Sequence, residues 1–149
     1  MMNPDSQALL VRGGRVVEVE GVVAEDVLVV DGRVTERGVG LEGPEGCEVI
    51  EAGGKLVFAG LVDPQVHFRE PGFPQKEDLQ SGSLAAIAGG VTGFCEMPNT
   101  TPSTTDPAAL EDKFARARGR CASDHAFFLG ATAENAEELG EWEQAPGCA

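Results

Sequence analysis

Basic residues are scarce in this 149-residue chain: Lys and Arg number 11 against 25 Asp and Glu, giving a formal charge of −14 and a pI near 4.4. Nucleic-acid binding needs a net basic patch, and the largest basic cluster is Arg116, Arg118 and Arg120, so a nucleic-acid partner is excluded. Long apolar runs are also missing. No segment approaches the ~20 residues of a bilayer span, and Met1-Met2-Asn3-Pro4-Asp5 is too acidic to open a signal peptide. The expectation is a soluble cytoplasmic protein with no membrane partner. Cys47, Cys95, Cys121 and Cys148 form no CxxC pair, which argues against a thiolate zinc site and for free thiols in that compartment. Neither a GxGxxG loop nor a P-loop follows any strand-like segment, which weakens a nucleotide-binding reading.

What is present is enough apolar matter for a core. Hydrophobic residues make up 42% of the chain, too many for disorder at this charge. The length fits one average domain or two small ones. Residues 1–58 are rich in Val and Gly, with short β-branched runs at Ala8–Val11, Val16–Val19, Asp26–Val30 and Cys47–Ile50. Gly13-Gly14 and Asp31-Gly32 punctuate them as hairpin turns, because such turns need residues that tolerate positive φ. This half reads as a small antiparallel β module, sandwich-like and thin on its own.

From residue 59 onward the pattern changes. Leu61–His67, Val91–Met97 and His125–Gly130 read as strands. Helices are expected at Leu79–Ala88, stopped by Gly89-Gly90, and from Asp106-Pro107 to about Arg118, with Asp as N-cap and Pro at the first helical position. A third, acidic helix is expected over Asn135–Trp142. Strand starts recur every ~30 residues, the length of one βα unit of a parallel sheet. Three such units belong to an open doubly wound sheet or to part of a barrel, where chemistry gathers at the carboxyl ends of the strands.

That is where the unusual residues stand. Strand alternation puts Asp63, Gln65, His67 and Arg69 on one face at the end of the first strand of this half. An imidazole there suits a metal and a guanidinium suits a carboxylate; the plainer alternative pairs Arg69 with Glu70 or Asp78 at the surface. Asn99, just past the second strand, is either a second donor to the same anion or an ordinary turn former beside Pro98. His125 begins its strand, at the wrong end for catalysis, and reads as structural. Glu134, Glu137, Glu138, Glu141 and Glu143 read as a solvated helix face.

The runs Val66-His67-Phe68-Arg69-Glu70-Pro71-Gly72, Lys76-Glu77-Asp78, Ser81-Gly82-Ser83, Gly89-Gly90-Val91-Thr92 and Met97-Pro98-Asn99-Thr100, in this order, resemble the dihydroorotase family of the amidohydrolase superfamily. The similarity extends through Phe128-Leu129-Gly130-Ala131-Thr132 to Pro146-Gly147-Cys148. The resemblance implies an α/β fold: an N-terminal β module over 1–58, then over 59–149 the first three βα units of a TIM-type (β/α)8 barrel. It implies zinc-dependent interconversion of dihydroorotate and N-carbamoyl-L-aspartate in pyrimidine synthesis, with His67 as a metal ligand. Arg69 and Asn99 then hold the substrate carboxylate. Siblings of the family, allantoinase and hydantoinase, are the alternatives.

Two departures accompany the resemblance. Gln65 stands where the family's first metal-binding His is expected, and a carboxamide is a poor zinc ligand beside imidazole. The chain also stops before the strand expected to bring the metal-bridging lysine, with the later histidines and the general-base aspartate beyond it. The expectation is therefore an incomplete barrel with no catalytic residue of its own, inactive alone. It is either the first part of a longer enzyme or a non-catalytic chain completed by a homo-oligomer or another chain, aspartate carbamoyltransferase being one such partner.

Overall fold

The computed structural model describes residues 7–149, which divide after Ala59 into two compact units. In the first, β1 (Ala8–Glu18), β2 (Gly21–Val30), β3 (Arg33–Gly38), β4 (Glu48–Glu51) and β5 (Leu56–Val57) form one five-stranded sheet. Its order is β3-β2-β1-β4, with β5 also paired to β1. The expected all-antiparallel, sandwich-like module is corrected here. β1 runs antiparallel to β2 but parallel to both β4 and β5, so this unit is a single mixed sheet among the described residues. The physical reason is the long polar loop between β3 and β4, which returns the chain to the free edge of β1 in the parallel sense; a two-residue turn could not do so.

Gly13-Gly14 is a second correction, because β1 passes through it without turning. The register shifts between Val11 and Gly14, with Gly13 at φ +69°, the mark of a bulge. Asp26 holds the bulge: Oδ1 accepts from the Gly13 N–H at 2.6 Å, and Oδ2 from Gly40 and Leu41 at 2.8 and 3.0 Å. These bonds, Gly13's foremost, hold the Asp26 carboxyl below the usual aspartate range. Asp31-Gly32 does turn the chain, with φ of 51° and 73°, as a two-residue hairpin requires.

The second unit carries a parallel sheet in the order β6-β7-β8, from β6 (Leu61–Val66), β7 (Val91–Glu96) and β8 (Asp124–Phe127). Helices α1 (Leu79–Ala88) and α2 (Pro107–Ala117) link them. Both start on aspartate caps: Ser81 N–H donates to Asp78 Oδ1 and Ala109 N–H to Asp106 Oδ1, each at 2.7 Å. Alternation sends Val66, Phe68, Phe94 and Phe127 toward the helices, where they join Leu79, Leu110 and Ala117 in the core. Phe68 and Phe94 meet edge to face at 4.8 Å. Gly82 lets α1 approach, since a Cβ there would lie 2.5 Å from the Phe68 ring.

The C-terminal part departs from the sequence reading. α3 covers only Leu139–Trp142, because the Asn135 side chain satisfies loops instead of starting a helix. Its Oδ1 accepts from Thr132 N at 2.7 Å, and its Nδ2 donates to the carbonyls of Thr105 and Gly130 at 2.7 and 2.8 Å. β8 ends at Phe127 and not at Gly130, whose N–H turns to the Thr104 carbonyl at 2.8 Å.

Candidate functional site

The carboxyl ends of β6 and β7 form a polar rim. His67, just beyond β6, donates from Nδ1 to Asn99 Oδ1 at 2.9 Å. An amide oxygen can only accept, so Nδ1 is the donor in this bond. Asn99 keeps its two Nδ2 donors for another group. Gln65 is exposed two residues before His67, with its backbone N–H bonded to Asp63 Oδ1 at 3.0 Å. The register with β7 shifts between Asp63 and Val66, which breaks the simple alternation expected over Asp63, Gln65 and His67.

Arg69 is half-buried, and its guanidinium has neither ion pair nor hydrogen bond among the described residues. Its backbone is fixed on both sides: Arg69 N–H donates to the Glu77 carbonyl at 3.0 Å, and Phe73 N–H donates to the Arg69 carbonyl at 2.7 Å. Glu70 and Asp78, two acids close to it in sequence, are already engaged. Glu70 is buried and accepts a fork from Arg120, Nη1 at 2.7 Å and Nη2 at 3.0 Å, plus the Leu79 N–H at 3.1 Å. Arg120 is the main reason its carboxyl lies below the usual glutamate range. Asp78 is occupied as the α1 cap. The surface pairing of Arg69 with Glu70 or Asp78 is therefore not made.

A buried pair lies behind the rim, and the sequence reading missed it. Lys113 of α2 and Glu96 at the end of β7 are both fully buried, with Nζ 2.9 Å from Oε2 and 3.2 Å from the Met97 carbonyl. Burial pushes the Glu96 carboxyl up to about 7 against the opposing pull of Lys113, and lowers the Lys113 ammonium. Glu96 Oε1 has no partner. One signal was available: Lys113 falls on the Leu110–Ala117 stripe of α2, where an amphipathic helix carries apolar residues. His125 stacks among Phe94, Phe114 and Phe127, and its Nδ1 lies 3.1 Å from the Ser123 carbonyl.

The donor set does not fit a zinc centre. It comprises one imidazole nitrogen and an exposed carboxamide, and no group of three His, Cys, Asp or Glu side chains converges among the described residues. Arg69 carries an unpaired guanidinium and Asn99 a held amide, the donor types that suit a planar anion.

Parallel βα units with polar groups at the strand carboxyl ends define the class, an α/β protein whose polar rim lies where such sheets place their chemistry. The dihydro-orotase-like family model matches residues 54–145. A dihydroorotase of Pelobacter propionicus is 45% identical over 148 residues, covering 94% of this chain and 34% of that protein. An allantoinase of Solibacter usitatus is 42% identical over 131 residues, covering 87% and 28%. Among solved structures, an L-hydantoinase from Arthrobacter aurescens superposes with a TM-score of 0.81 at 32% identity, covering 91% of this chain and 30% of that one. The chain belongs to the dihydro-orotase-like family of cyclic amidohydrolases, and it spans about a third of the length of the relatives it matches.

Proposed function

We propose that this chain supplies the carboxylate-binding rim of a dihydroorotase-like protein and binds dihydroorotate or N-carbamoyl-L-aspartate without assembling a zinc centre of its own. In this reading the β6-β7-β8 sheet corresponds to the first three βα units of a (β/α)8 barrel. Arg69 and Asn99 orient the substrate by its carboxylate, away from the ring amide that a hydrolase must attack. In the family, zinc would supply an activated water; Gln65 leaves His67 without its neighbouring imidazole, so no hydrolytic step is assigned to this chain.

The observation that supports the reading is the unpaired Arg69 guanidinium, which pairs with neither Glu70 nor Asp78, both engaged elsewhere. It also favours dihydroorotate over a hydantoin or allantoin ring, neither of which carries a carboxylate. Calorimetric titration tests this. Dihydroorotate should bind, unsubstituted hydantoin should bind far more weakly, and Arg69→Met should lower dihydroorotate affinity about tenfold or more, the worth of one charge-assisted contact. Equal binding of both rings, or by both proteins, would reject the carboxylate role.

A further inference from the structure

We propose that Lys113 is a positioning residue for the Asn99 carboxamide: its buried ammonium ties the end of β7 to α2 and so fixes the turn on which Asn99 stands. The Met97 backbone is held on both sides of its Cα. Its N–H donates to the Val66 carbonyl at 2.9 Å, immediately before His67, and its carbonyl accepts from Lys113 Nζ at 3.2 Å. Met97 therefore sets the register between the end of β6, just before His67, and the turn carrying Asn99. Beyond it, the N–H groups of Thr100 and Thr104 both close on the Pro98 carbonyl at 2.9 Å, leaving little slack between Met97 and Asn99. The ammonium is itself held by Glu96 Oε2 at 2.9 Å and lies 5.4 Å from the centre of the Phe127 ring.

A buried ion pair is a poor route to stability, since well-packed apolar residues in its place are often neutral or better. Glu96 even leaves one oxygen without a partner. What apolar residues cannot supply is a donor to the Met97 carbonyl. Positioning is thus separable from folding. The benefit to ligand binding rests on the reading that Asn99 takes the substrate carboxylate; the tie itself does not.

The chain has two histidines, so ring-nitrogen NMR of labelled protein resolves His67, assigned by His67→Gln. The parent should show His67 as the Nδ1–H tautomer, and a protected lysine ammonium signal coupled across its hydrogen bond to the Met97 carbonyl carbon. Lys113→Met strands Glu96 and should lower the thermal midpoint. The double variant Glu96→Leu/Lys113→Met should recover that midpoint, yet its His67 should shift toward the Nε2–H tautomer and dihydroorotate affinity should fall about tenfold. A recovered midpoint with an unchanged His67 spectrum would overturn the proposal. So would a parent chain with no protected lysine ammonium, a measurement that needs no variant to fold. If His67 shifts as expected but Arg69→Met leaves binding intact, the positioning stands and the carboxylate reading is what fails.

Discussion

Gln65 and Glu96 are single residues with opposite consequences. Gln65 is exposed beside His67 and brings an amide where a second imidazole would make a metal pair. Elemental analysis should find well under one zinc per chain, and Gln65→His should raise it; an unchanged content would show that position 65 does not face the metal position. Glu96 makes its own pH dependence. Its folded-state value of about 7 lies above the ordinary 4.5, so between those limits the folded chain binds the proton more tightly than the unfolded chain. Its contribution is full below 4.5 and is lost as pH rises to about 7. The loss is on the order of 3 kcal/mol at most. Glu70, whose carboxyl is lowered, acts in the reverse sense, losing stability as pH falls. Comparing parent with Glu96→Gln isolates the first effect: the midpoint difference between pH ~5 and ~7.5 should shift in favour of the higher pH in the variant. His67, Arg69 and Asn99 were readable as candidates because spacing alone puts them at strand ends. Glu96 was not, because it is ordinary in sequence and becomes unusual only when packing removes it from water; Lys113 offered only its place on the apolar stripe of α2.

At the scale of elements, α2 does more than cover the sheet. Lys113 reaches the end of β7, while Arg120, just past the helix, reaches Glu70 in the segment after β6. One helix thus braces both halves of the rim. Arg120→Met leaves the buried Glu70 carboxylate with the Leu79 N–H and a long 3.9 Å contact to Arg116, an under-satisfied charge that should cost about 1–3 kcal/mol. Denaturant titration should register that loss, and Glu70→Gln/Arg120→Met should recover part of it. If the single variant loses nothing, the fork contributes no more than an exposed surface pair. The end of α1 and the start of α2 were legible because Gly90, Asp106 and Pro107 act locally, through backbone conformation and capping. The turns before α3 were not legible. Asn135 is committed to Thr105 and Gly130, and no local pattern announces a contact made thirty residues away. The parallel pairing of β1 with β4 and β5 is likewise a long-range choice that hairpin signals in the sequence could not disclose.

At the scale of the whole molecule, charge and exposed apolar surface act against each other. Leu61 and Val62 of β6 are 55% and 65% exposed, and β6 pairs on one side only among the described residues. The outer edge of β8 differs, since Phe127 exchanges hydrogen bonds with Gly147 and Ala149 that blunt it. An open strand edge beside bare apolar side chains is a template for association, and a net charge of −14 repels other copies. Salt decides between them, because screening shortens the repulsion to ~3 Å at 1 M while leaving the apolar attraction in place. Light scattering should therefore show the chain dispersed at low ionic strength and associating as sodium chloride is raised. Val62→Lys, which places a charge on that edge, should suppress the association without lowering the thermal midpoint. Were association instead strongest at low salt, charge pairing would be its cause, and the exposed strand would play no part.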